Sequence, residues 1–192
     1  MLCKKERVVF MTDKQLLELA KGEGFTAAVI APERIPVDPK FRVFCEQNLC
    51  GKYNANYSCP PDCGTVEELH QTILAEQKAL ILETVWDNIG FDDTSSVQKA
   101  KMAHNASALR LLDKLQKIGY KGFASGFNGC PLCNPCKRTE NAPCAFPDKR
   151  ISCMSAYCVD VAELAKRCGL EFAWIPGKLY LLGMIAFHKA GE

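Results

Sequence analysis

Apolar and polar positions along this chain switch repeatedly between a helical and a strand period. Thr12-x-x-Gln15 has the form of a capping box ahead of Leu16, Leu17, Leu19 and Ala20, which predicts a helix ending at Gly22. Phe25 to Ile30 reads as a short buried strand. Three prolines between Ala31 and Lys40 predict an extended connection. Thr65-x-x-Glu68 repeats the capping pattern, with Val66, Leu69, Ile73 and Leu74 at helical spacing behind it. Ala79 to Val85, apolar apart from Glu83, predicts a central strand. A long helix should start near Thr94 or Ser95 and end at Gly119, with Leu111, Leu112, Leu115 and Ile118 on its stripe. Lys121 to Phe127 is predicted as a strand running into Cys130. A last helix carries Val161, Leu164, Ala165 and Cys168 on one face and stops at Gly169. Glu171 to Ile175 and Lys178 to Phe187 then read as a hairpin about Pro176-Gly177.

This alternation predicts a mixed α/β fold, a mostly central sheet flanked by helices, with the closing hairpin as an antiparallel edge. At 192 residues the chain can bury a core of its own. With no internal repeat or low-complexity segment, residues 1–192 are read as one domain with cysteine-rich insertions at about 41–64 and about 128–158. A net charge of +2 gives no reason to expect nucleic acid or membrane as a partner. The first residues lack the apolar core of a secretory signal, and the longest greasy stretch, Leu179 to Phe187, is far short of the roughly 20 residues that span a bilayer. A soluble, cytoplasmic protein is expected, with its oligomeric state left open.

The twelve cysteines change the picture from a plain α/β protein to one with metal chemistry. Eight fall into two sets of four: Cys45, Cys50, Cys59 and Cys63, then Cys130, Cys133, Cys136 and Cys144. Disulfides between such close neighbours would shut only small loops and stabilise weakly. Four thiolates instead complete one zinc ion or one cubane iron–sulfur cluster. The run Cys130-x2-Cys133-x2-Cys136 has the step of a bacterial ferredoxin, whose fourth cysteine precedes proline. Glu140 stands where the short ferredoxin run would place that cysteine, so the fourth thiol comes from elsewhere. Cys144 is nearest, and Cys59-Pro60 has the expected proline. The first set, spaced x4, x8 and x3, fits no simple zinc ribbon and favours a cluster. Cys63 precedes a helix whose free N–H groups should favour its thiolate.

Other residues carry less. Lys137, Arg138, Lys149 and Arg150 either offset cluster charge, form a docking patch for an acidic redox partner protein, or are simply solvated. Cys168 reads as core and Cys3 as idle, while Cys153 and Cys158 have three readings: ligand, redox thiol or packing. His70, His104 and His188 lack ligand spacing and read as core or surface residues, and Asp160 and Glu163 as first-turn helix acids. There is no phosphate-binding glycine loop, nucleotide fingerprint or serine–histidine–acid arrangement.

From Cys45 to Phe187 the chain resembles a prokaryotic family of predicted metal-binding proteins, domain of unknown function number twenty-two eighty-four. The likeness rests on Cys50-x2-Tyr53 leading to Cys59-Pro60-Pro61-x-Cys63, on Gly129-Cys130-x-Leu132-Cys133-x2-Cys136, and on Cys144-x2-Pro147, Arg150, Met154 and Cys158-x-Asp160-Val161. Asn54 and Ala55 stand where members usually have glycine and lysine, and Ile151 and Ser152 where they commonly have proline and serine. The resemblance implies a metal or iron–sulfur site in an anaerobe-type cytoplasmic protein, and it adds Cys158 to the candidate ligands. The leading expectation is a protein with two [4Fe–4S] clusters for electron transfer or a cluster-based redox step. The alternatives are an iron–sulfur enzyme whose open iron acts on a small, sulfur-bearing substrate, and a protein that uses structural zinc to shape an interaction surface.

Overall fold

The computed structural model describes residues 11–191, so Cys3 lies outside the described residues. The first helix, α1 (Asp13–Lys21), opens on the expected capping box: Gln15 N–H donates to Thr12 Oγ1 at 3.3 Å and Thr12 N–H to Gln15 Oε1 at 2.8 Å. A short helix, α2 (Arg42–Glu46), carries Cys45, and α3 (Val66–Leu74) repeats the reciprocal cap through Thr65 and Glu68. Each such N-cap stabilises its helix by about 1 kcal/mol. The long helix α4 (Thr94–Lys117) is capped by Asp93, and α5 (Val161–Cys168) by Asp160, whose carboxylate accepts from Glu163 N–H.

The strands are β1 (Thr26–Ile30), β2 (Lys78–Asp87), β3 (Tyr120–Gly126), β4 (Ser152–Cys153) and β5 (Lys178–Lys189). Among the described residues they form one sheet in the order β1-β2-β5-β3-β4, antiparallel at each step except the parallel β3–β4 pair. The fold is therefore mixed α/β, with three corrections to the expected layout. The hairpin does not form: residues 171–175 are irregular, and Phe172 packs on the core while Trp174 meets Phe91. Nor is β5 an edge. It sits between β2 and β3, with every residue from Leu179 to Phe187 buried, as an apolar run covered on both faces requires. The strand predicted as buried, β1, is the half-buried edge instead.

Alternation along β2 and β5 sends side chains to two cores. Leu80, Leu82 and Ile185 meet α1 and α4 through Leu16, Ala20, Leu111 and Leu115. Ile81, Leu182 and Met184 meet α3 and α5 through Ile73, Leu164 and Ala165. These layers fix where the cysteine loops hang. Residues 127–150 leave the end of β3 and return through β4, and the 31–64 connection is tied down by a Val37–Val159 bridge and by Asp38 N–H donating to the Cys158 carbonyl at 2.9 Å. That connection is not simply extended, since Pro32–Arg34 and Pro39–Phe41 coil into short 3-10 turns. Among the described residues no helix is long and apolar enough to cross a membrane.

Candidate metal centre

Every described cysteine is a free thiol. The structure brings Cys130, Cys133, Cys136 and Cys144 round one narrow cleft, walled also by Tyr57, Leu132, Phe146 and Arg150. Cys144 thus lines the cleft with the other three, while Cys59 and Cys158 do not. The loop folds tightly because Thr139 N–H returns to the Cys136 carbonyl at 3.0 Å and Ala142 N–H to the Lys137 carbonyl at 3.1 Å. Asn141, at φ 53°, turns the chain so that Cys144 comes back to the first three thiols. Desolvation and the neighbouring thiolates of Cys136, Cys130 and Cys144 push the Cys133 thiol up. A thiol crowded in this way is what a cation relieves.

The first set is larger than its spacing suggests. Cys45, Cys50 and Cys59 line a cavity of about 580 Å³, and the fourth thiol on its wall is Cys153. Cys153 arrives through the parallel pairing of Gly126 with Cys153, which runs β4 beside the end of β3. Burial pushes the Cys45 thiol up to about 12, with the Cys153 thiolate the next largest contribution. Cys59 moves the same way for the same reasons, opposed further by Cys50, Cys63 and Cys45. Five thiols thus share one neighbourhood. Cys63 stands two residues ahead of the α3 N-cap, and the group it meets is a guanidinium: Arg42 Nη1 donates to Cys63 Sγ at 3.9 Å. The helix end expected to face Cys63 is closed by its own capping box. Cys158 lines neither cavity. It is fully buried, with a left-handed φ of 54°, and lies nearer Cys63 and Cys153 than the second set. Cys168 packs at the edge of the core, as its helical position predicts.

Cys153 was open to three readings because spacing alone cannot place it. The other cysteines of that cavity lie roughly 95 to 110 residues earlier in sequence, and the β3–β4 pairing brings Cys153 to them. The usable signal was local: Cys153 falls inside the Arg150–Asp160 stretch that carries the family likeness.

The two sulfur-lined sites are neighbours. Asn56, Tyr57 and Ser58 wall the second cleft, and the next residue, Cys59, belongs to the first cavity. Asn56 Nδ2 donates to the Cys130 carbonyl at 3.1 Å, and Tyr57 Oη to the Ala142 carbonyl at 2.8 Å. Gly129, at φ 70°, lies so close that a Cβ there would sit 2.9 Å from Cys59 Sγ. Arg138 locks the loops together, its Nε 2.7 Å from Asp62 Oδ2 and its Nη2 2.6 Å from Asn54 Oδ1. Asn54 has a left-handed φ of 54°, which asparagine tolerates well. Of the other basic residues, Lys137 pairs with Glu140, and Arg150 Nη1 donates to the Tyr57 carbonyl at 3.1 Å. Arg138 and Arg150 therefore hold the two loops together.

An all-thiol donor set suits a soft metal or an iron–sulfur cluster. Among the described residues no three His, Cys, Asp or Glu side chains are already gathered closely enough to hold a single ion. The second cleft has free space of about 10 Å³, close to that of one water, and the first has far more. No curated protein and no solved structure gives a match to the chain. The profile of one family, described as predicted metal-binding protein (DUF2284), matches residues 28–187 and so takes in both cysteine sets, β2 to β4 and nearly all of β5. The chain belongs to this family of predicted metal-binding proteins.

Proposed function

We propose that this protein carries two [4Fe–4S] clusters in neighbouring sites and uses them for electron transfer or a cluster-based redox step in the cytoplasm. Cys130, Cys133, Cys136 and Cys144 hold one. Cys45, Cys50, Cys59 and Cys153 hold the other, with Cys63 engaged by Arg42 beside it. Cys158 is a buried packing residue. The observation that carries this reading is a pair of neighbouring cavities, each with four cysteines in its lining, joined through residues 56–59. Two redox centres sharing a wall are suited to pass an electron from one to the other. When bound, such clusters supply reversible one-electron chemistry at a potential set by hydrogen bonds and solvent around the sulfurs. The chain's own part is to crowd the thiols and to restrict solvent with Leu132 and Phe146 over the second site. Anaerobic purification should yield a brown protein with about eight irons and about eight acid-labile sulfides per chain, four of each per cubane. One observation favours a second reading: the narrowness of the second cleft suits a single zinc ion drawn in by Cys130, Cys133, Cys136 and Cys144. A colourless protein with stoichiometric zinc and no sulfide would establish that reading and end the first.

A further inference from the structure

The cavity beside the first sulfur site is larger than a metal centre needs. Its volume of about 580 Å³ falls in the range, roughly 300–1,000 Å³, of pockets for small organic ligands. Its walls come from the end of β3, the start of β5, α4 and the irregular segment after α5. Apart from the thiols they are mainly apolar, with Val97, Phe127, Phe172, Leu181 and Leu182 among them. Large apolar side chains also belong to the lining while standing in solvent: Leu49 is 86% exposed, Trp174 79% and Phe44 56%. Phe91 and Trp174 pack against each other with ring centroids 5.0 Å apart. Exposed aromatic surface gathered around a cavity marks a binding site more often than an accident of folding. The charged side chain in the lining is Lys101, half-buried on α4 and in no ion pair among the described residues.

We propose that this chamber binds a small organic anion with a flat apolar body, its charge on Lys101 and its body against Phe91 and Trp174, facing the wall formed by Cys45, Cys50 and Cys153. The shape and the cation select the ligand class: neutral apolar molecules leave Lys101 without a partner, and cations oppose it. The proposal rests on the metal reading only for what the thiol wall holds. If a cluster sits there, the bound molecule lies next to it, which makes this the substrate site of an iron–sulfur enzyme.

Calorimetric titration of the full chain, purified anaerobically with its metal, tests the idea with 2-naphthoate and its neutral analogue 2-naphthalenemethanol. The acid should bind about tenfold more tightly, the scale of one charge-assisted contact. Lys101→Met keeps the apolar stem and should remove that preference while leaving the alcohol unchanged. Trp174→Ala alters a side chain that stands mostly in solvent, so the fold is retained, and it should weaken both compounds about tenfold through loss of ring packing. The absence of saturable heat with the acid, or a preference that survives Lys101→Met, or indifference to Trp174→Ala would overturn the proposal. Iron and sulfide are counted on the same sample, which separates the two readings. Heat of binding in a colourless, iron-free protein sinks the cluster reading alone, and an iron-loaded protein without heat sinks this one alone.

Discussion

Acid should loosen this fold through one histidine. His104 lies on α4, 1% exposed, wedged edge-on between Phe25 and Phe127 at centroid distances of 5.1 and 5.2 Å. Its Nδ1 is 2.9 Å from Thr84 Oγ1, and its Nε2 has no hydrogen-bond partner. Burial alone pushes its pKa from 6.5 down to about 4, with no charged neighbour contributing. The unfolded chain takes up a proton below about 6.5, whereas the folded chain does so only near 4, so falling pH favours unfolding across that window. The stability is fully present above 6.5 and is lost progressively down to about 4. Each pH unit is worth about 1.4 kcal/mol, which makes the whole interval about 3 kcal/mol. Urea melts followed by circular dichroism at pH 7, 6, 5 and 4 measure this in the native chain and in His104→Leu, which cannot titrate. Metal loss at acid pH affects both proteins, so the difference between them isolates the imidazole. The native chain should lose about 3 kcal/mol more than the variant between pH 7 and 4. Parallel pH profiles would refute the reasoning.

The same contact makes Gly183 irreplaceable. A Cβ there would meet His104 Nε2 at 2.6 Å and the Ser125 carbonyl oxygen at 2.9 Å, so Gly183→Ala should lower stability by about 1–3 kcal/mol in a urea melt. An unchanged midpoint would show that the sheet and α4 part easily. Arg138→Ala removes the link to Asp62 and Asn54, and because the pair is partly exposed the global loss should stay under about 1 kcal/mol. Hydrogen exchange should nevertheless quicken in residues 53–62 and 128–144, and unaltered exchange there would count against Arg138 as the clasp. Gly129→Ala combines a left-handed φ of 70° with a Cβ 2.9 Å from Cys59 Sγ. It should destabilise by about 1–2 kcal/mol and reduce the iron retained by the first site, with full retention arguing that Cys59 is not a ligand.

How far the sequence could be read depended on the range of each interaction. The caps at Thr12 and Thr65 were legible because all their partners lie within three residues. So was α5, from its N-cap Asp160 to its left-handed Gly169. The hairpin was not, because the alternation in Glu171–Ile175 comes from packing against the core and against Phe91, with no strand beside it. The central place of β5 is visible in hindsight in an apolar run too long for a one-sided edge, but its antiparallel partners depend on long-range pairing. The clustering of Cys130, Cys133 and Cys136 was legible, and the turn at Asn141 brings Cys144 to the same cleft, which Cys59 and Cys158 do not line. Of the first set, Cys45, Cys50 and Cys59 share a cavity lining, joined there by Cys153 through the β3–β4 pairing, while Cys63 meets Arg42.

Two separate four-thiol sites, as proposed, predict that each can be emptied without the other. Anaerobically prepared Cys144→Ala and Cys59→Ala should each keep about four irons per chain, against about eight in the parent protein. Equal loss of all iron from both variants would mean one shared centre, and iron unaffected by either would mean that these thiols hold no cluster.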